Sequence, residues 1–205
     1  MTIRSIATPD GQTRTYRLFV PAGNKGSVPL LIALHGGMGN SEQFAGNSGF
    51  DGLATSNHFI VAYPNGVGRL PDGSGGAQTW NGGNCCGPAA SRNVDDVGFI
   101  LALVRDISQT YDVSPDRVYL TGHSNGGIMA LRLACEQASV FAAVAVQSAS
   151  LEIGDCAPNQ PISTMQIHGS ADTNVPIAGG PGSGLANVSF APPRKAASTF
   201  AKADG

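Results

Sequence analysis

The chain has 205 residues, 41% hydrophobic and only 13% charged, with 28 glycines; that allows one domain with a sizeable core and fits a loop-rich globular enzyme better than a disordered chain. Twelve basic and fourteen acidic side chains leave a formal net charge of −2, so nothing attracts a polyanion and no basic block tracks a nucleic-acid backbone. No apolar run reaches the ~18 residues of a membrane span, and the opening MTIRSIATPDGQTRTY holds no apolar leader.

Thr13–Pro21 alternates and predicts an edge-side strand before a Pro/Gly loop. Pro29–Gly37 (PLLIALHGG) is an almost unbroken apolar run ended by glycines, as expected of a central parallel strand buried on both faces. Phe50–His58 predicts a short helix and Phe59–Gly66 another buried strand. Gly66–Ala90 is polar, glycine-rich and without periodicity. Asp95–Tyr111 places Val97, Ile100, Leu101, Val104 and Ile107 on one helical face, with Asp95 and Asp96 as cap and dipole partner. Arg117–Ser124 is a strand running into a sharp turn, and Gly126–Gln137 is a helix. Val140–Ala149 and Pro161–Asp172 each give a strand, the second followed by a loop. After a Gly/Pro-rich loop at Gly179–Gly184, Arg194–Ala203 opens a helix. Strand and helix alternate from residue 29 onward, which predicts an α/β fold: a mostly parallel sheet with helices on both faces. Ligands of such sheets sit at the C-terminal ends of the strands.

The strongest chemical signal lies at one of those ends. Gly122-His123-Ser124-Asn125-Gly126 matches G-x-S-x-G between a strand and a helix. A serine there occupies a tight turn with its hydroxyl above the sheet, and the glycines keep the turn and the entering helix clear. The helix N-terminus supplies backbone N–H groups to a developing oxyanion, that of Asn125 first. His35-Gly36-Gly37-Met38-Gly39 ends the first core strand, and Gly37 or Met38 is the expected second donor. His35 reads as structural.

Chain order in this architecture is serine, acid, histidine. Asp172 follows its strand by a short loop and is the expected acid, with Asp155 as runner-up. All four histidines, His35, His58, His123 and His168, precede Asp172. The slot for the base, a loop after a strand beyond the acid, is not filled. The expectation is a single catalytic domain over residues 1–205 that is C-terminally incomplete; the alternative is an unusual base such as His168. Trp80 and Tyr63 are the aromatic candidates for substrate contact.

No nucleotide loop or H-E-x-x-H motif is present, so no cofactor or metal is expected. The cysteines Cys85, Cys86, Cys135 and Cys156 form no C-x-x-C pair. Disulfides in an exported protein fit them better than free thiols, though adjacent Cys85 and Cys86 are not expected to bond each other.

Seven stretches, LHGG (Leu34–Gly37), AYPNG (Ala62–Gly66), WNGGNCCG (Trp80–Gly87), VDDVGF (Val94–Phe99), GHSNGG (Gly122–Gly127), RLAC (Arg132–Cys135) and IHGSAD (Ile167–Asp172), cover nearly the whole chain. With them the sequence resembles the α/β-hydrolase esterases grouped as polyhydroxybutyrate-depolymerase-like and feruloyl-esterase-like. The resemblance implies Ser124 as nucleophile and Asp172 as acid, with a histidine several dozen residues further on. It implies an exported, disulfide-bonded protein in which Cys85, Cys86 or Cys156 lacks its partner here. It also implies a substrate that is a feruloyl or other carbohydrate-linked ester, or alternatively a short-chain polyhydroxyalkanoate. Neither nucleic acid nor membrane is an expected partner. The rival to an enzyme is an inactive, hydrolase-like binding module.

Overall fold

A computed structural model describes residues 1–23, 26–184 and 186–204. A seven-stranded sheet runs in the order β1 (Thr2–Ala7), β2 (Thr13–Phe19), β4 (Ile60–Pro64), β3 (Val28–Leu34), β5 (Val113–His123), β6 (Ala143–Gln147) and β7 (Ser163–Ile167). The β1–β2 and β2–β4 pairs are antiparallel and every other pair is parallel. The expected edge strand at Thr13 is therefore internal, and β1 takes the edge. β1 is exposed or half-buried throughout, with Ile3 64% exposed, so the core imposes no apolar alternation on its sequence.

The two central strands divide their side chains by parity. Leu30, Ile32 and Leu34 of β3, with Ile60 and Ala62 of β4, enter the larger core. There they meet α4 (Asp96–Thr110), α5 (Asn125–Glu136) and, through Ala196 and Phe200, α6 (Arg194–Asp204). Ala33, Val61 and Tyr63 point the other way, to Ala54, Phe44 and Phe50 on α1 (Ser41–Ser48) and α2 (Phe50–Asn57). Two-sided burial explains the apolar runs of these strands. Beyond α2 the second face is open, in a groove of about 350 Å³ over Thr121, Ala145 and Met165.

Helix α1 had no apolar signal; Asn40 starts it by accepting from the Gln43 N–H at 2.9 Å. Asp95 caps α4, accepting from the Gly98 N–H at 2.8 Å, as expected. Asp96 opens the first turn of α4, as expected, but its carboxylate is turned inward. It is fully buried and paired with Arg14 at 2.8 Å. Residues 66–90 are ordered by the bridges Val67–Thr79 and Gly39–Gln78 and by the short helix α3 (Gly87–Ser91). The 179–184 loop pairs β8 (Gly180–Pro181) with β9 (Ser189–Phe190).

The cysteines are disulfide-bonded as expected, but the pairing differs from the expectation: the adjacent cysteines bond each other, and none of Cys85, Cys86 and Cys156 lacks its partner. Cys135 at the end of α5 is bonded to Cys156, and Cys85 to its neighbour Cys86; no free cysteine remains. The Cys85–Cys86 turn is locked against Trp80, whose carbonyl accepts from the Cys86 N–H at 3.1 Å.

Candidate active site

Ser124 sits between β5 and α5 at φ 52° and ψ −123°. That is a sparsely populated conformation for a side-chain-bearing residue, and surrounding contacts must hold it. Its N–H donates to the Gln147 carbonyl at 2.9 Å, and its carbonyl accepts from the Ile128 N–H at 2.9 Å. A Cβ on Gly122 would lie 2.4 Å from the Gly126 carbonyl oxygen, and one on Gly126 would lie 2.3 Å from those of Leu34 and His35. Only glycines let α5 begin this close to β3 and β5.

Asn125, the first residue of α5, has an N–H that a helix leaves without an internal partner. Its buried side chain clasps Trp80: Oδ1 accepts from the Trp80 N–H at 2.7 Å and Nδ2 donates to the Trp80 carbonyl at 3.0 Å. Across the cleft mouth, the Met38 N–H already donates to the Gln78 carbonyl at 2.8 Å. That N–H is engaged and not free for an oxyanion; on the adjacent Gly37 an added Cβ would lie 3.5 Å from the Asn125 Cβ. Met38 is instead a half-exposed side chain at φ 67° on the cleft wall.

Trp80 and Tyr63 do not reach the cleft. Both have no exposed surface. Trp80 donates through Nε1 to the His35 carbonyl at 2.9 Å and packs on the His35 ring. Tyr63 donates to Asp51 at 2.7 Å on the other face of the sheet. An alternating strand turns Tyr63 away from the α4–α5 side. The aromatic side chain that lines the cleft is Phe190.

Asp172 stands in the loop after β7. One carboxylate oxygen accepts from the N–H groups of Asn174 at 2.9 Å and Val175 at 3.0 Å. The other lies 3.6 Å from His168 Nε2. Partial burial pushes the carboxyl up, but the Val175 N–H, the Ser148 hydroxyl, the Asn174 N–H and His168 outweigh it, and the group is held below the ordinary carboxylate range.

No histidine lines the cleft. His168 Nε2–H donates to the Val175 carbonyl at 2.7 Å, and its buried Nδ1 has no partner among the described residues; it stands behind Asp172. His123 is exposed, but it borders a separate cavity with Phe44 and Gln147. His58 ends α2. His35 Nε2 accepts from the Gly66 N–H at 3.0 Å, so Nδ1 carries the proton and donates to the Gly36 carbonyl at 2.8 Å. Both of its nitrogens serve the backbone.

The cleft itself is about 450 Å³. It opens over Ser124 between the Gly37–Met38 turn, Cys86–Pro88, Asn174–Val175 and Phe190. The cleft brings the Ser124 hydroxyl together with the backbone of Gly37 and Asn125 and the loop that follows Asp172, with Thr79 as the other hydroxyl on its wall, around a largely apolar space, a geometry suited to acyl transfer. Among the described residues no cluster of three or more His, Cys, Asp or Glu side chains is placed to hold a metal ion. The polar clasp of Asn125, the Arg69 side chain and the Asn174–Val175 wall had no signal in the sequence, because each depends on which loops meet.

Residues 14–179 match the family model for esterase PHB depolymerase. Feruloyl esterase B of Piromyces equi is 35% identical over 167 residues, which cover 78% of this chain and 29% of that protein. Feruloyl esterase C of Emericella nidulans is 33% identical over 175 residues, 82% of this chain and 58% of that protein. The crystal structure of native sOPH superposes with a TM-score of 0.74 at 16% identity, over 98% of this chain and 76% of that one. With the strand order above, that likeness is one of fold, the α/β-hydrolase fold. The chain spans about half or less of the length of several curated relatives, 48%, 29% and 23% in three cases.

Proposed function

The chain belongs to the esterase PHB depolymerase family, and on that premise we propose that it carries the nucleophile and the acid of a serine carboxylic-ester hydrolase. The observation that carries this reading is Ser124, held at its strained turn on the floor of a cleft that also takes in Gly37, Asn125 and Asn174–Val175.

In the proposed reaction Ser124 Oγ attacks the ester carbonyl. The N–H groups of Asn125 and Gly37 receive the oxyanion; loss of one such donor typically costs ~3 kcal/mol of barrier. A histidine takes the serine proton and returns it to the leaving alcohol, and Asp172 orients that imidazole. Water then releases the acyl-enzyme. Because none of the four histidines of this chain lines the cleft, the base in this reading comes from outside these 205 residues, and residues 1–205 form one incomplete catalytic domain.

The substrate in this reading is a feruloyl or other carbohydrate-linked ester; the alternative is a short polyhydroxyalkanoate. The names of the two feruloyl esterases support the first and the family model the second. Phe190, not Trp80 or Tyr63, is the wall on which an acyl group would lie. The extracellular location is supported by the pairing of all four cysteines. No described helix is long and apolar enough to cross a membrane.

Hydrolysis of a short-chain nitrophenyl ester by this polypeptide and by Ser124→Ala tests the reading. The expected result is negligible turnover by the folded chain, and serine-dependent turnover once a longer chain brings a histidine to the cleft. Serine-dependent turnover by residues 1–205 alone would make a resident histidine the base. Turnover that survives Ser124→Ala would overturn the nucleophile.

A further inference from the structure

The described residues lining the cleft include one charged side chain, Arg69, and no carboxylate. Arg69 sits on the loop that leaves β4, and that loop is braced on both sides of it. Arg92 donates to the carbonyls of Gly68 and, at 2.7 Å, of Leu70. The Leu70 N–H donates to the Ser74 carbonyl at 3.0 Å, and the Gly68 N–H to the Gly73 carbonyl at 2.7 Å. The nearby acid, Asp72, is turned to the N–H and hydroxyl of Ser74, at 2.9 and 2.7 Å. Arg69 is exposed, and its guanidinium has no hydrogen-bond or ion-pair partner among the described residues. A second arginine thus fixes the backbone that carries the first, while the first stays unpaired on the wall of an otherwise uncharged cleft.

We infer that Arg69 is a specificity-determining residue that selects esters bearing a carboxylate within the same small molecule or sugar unit. The inference rests on the reading of the cleft as an ester-binding site. A planar guanidinium with five donors suits a carboxylate better than it suits a neutral ester oxygen. Beside Phe190 and Ile128, which offer no hydrogen bonds through their side chains, it is the group able to distinguish an acid-bearing substrate from its neutral counterpart. Two sources present that chemistry: the free acid end of a short hydroxyalkanoate, and a uronate in an esterified polysaccharide.

Titration of the Ser124→Ala protein, followed by backbone amide shifts of the cleft residues, separates them, because this variant leaves the ester uncleaved. The probes are 3-acetoxybutyrate and its methyl ester, and O-acetylated glucuronate and its methyl ester. At least one acid should bind about tenfold more tightly than its neutral partner, the size of a charged hydrogen bond, and that acid identifies the source. The preference should vanish in Arg69→Gln, persist in Arg69→Lys and shrink in high salt. Equal binding of acids and methyl esters, or a preference that survives Arg69→Gln, overturns the role of Arg69 and leaves the ester site standing. If neither acids nor methyl esters bind, the ester-site reading falls with it.

Discussion

His35 lies in the turn beside Ser124, yet its chemistry is used inward. Burial leaves room only for the neutral ring, and with the backbone contact to Gly36 opposing and Arg14 reinforcing that effect, its pKa is lowered from 6.5 to about 4. Between those values the unfolded chain binds a proton that the folded chain refuses. The stability His35 contributes is therefore whole above pH 6.5 and is lost as pH falls toward 4. The loss amounts to about 3 kcal/mol. Urea midpoints measured from pH 7 to pH 4 should fall accordingly, and His35→Gln should remove that part of the slope. An unchanged slope in the variant would assign it to other groups. The role of His35 was legible because a histidine inside a buried strand end must have its nitrogens satisfied. The partner, Gly66, was not legible, being fixed only when β4 pairs with β3. Trp80 and Tyr63 misled for a related reason: an aromatic residue in a sequence does not disclose whether its ring meets a ligand or its own fold.

The helices divide by what their glycines touch. In α5, Gly126 faces the backbone of β3, and a methyl group there would sit 2.3 Å from two carbonyl oxygens. Neither strand nor helix backbone can yield easily, so Gly126→Ala should cost at least the 1–3 kcal/mol typical of overpacking and displace Ser124 with it. In α1 and α2, Gly46 and Gly52 have nothing within 4 Å of an added Cβ and no left-handed φ. Gly46→Ala and Gly52→Ala should each add about 0.5–1 kcal/mol by helix propensity alone. Denaturant unfolding of the three variants checks both signs; a Gly126→Ala as stable as the wild type would mean that α5 packs less tightly on β3 than described. The same contrast governs legibility. β3 and β4 were readable because burial on both faces makes them short continuous apolar runs, and α4 because burial of one face imposes a helical period. α1 is polar and β1 largely exposed, so neither carried a period, and both were missed.

Across the molecule, one ion pair ties together parts that no local pattern connects. Arg14 of β2 reaches Asp96 of α4 over 82 residues and donates to the Asn65 carbonyl at 2.9 Å. Its guanidinium lies 4.2 Å from the centre of the Phe99 ring. The second oxygen of Asp96 accepts from the Asn81 N–H at 2.8 Å, next to the Trp80 that Asn125 clasps. The stretch 66–90, without periodicity in sequence, is thus anchored by Asp96 through Asn81 and by Asn125 through Trp80, and those anchors set the cleft wall beside Ser124. Such a wall is invisible to composition and periodicity because its order comes from side chains elsewhere. Arg14→Met strands a buried carboxylate and should cost about 3–5 kcal/mol. Asp96→Asn keeps an acceptor for Asn81, and combined with Arg14→Met it should recover a large part of that loss. A double-mutant cycle in urea measures the coupling. Strongly non-additive losses would show that the pair acts as one anchor for the loop; additive losses would mean that Asn125 and the Val67–Thr79 bridge hold the cleft wall without it.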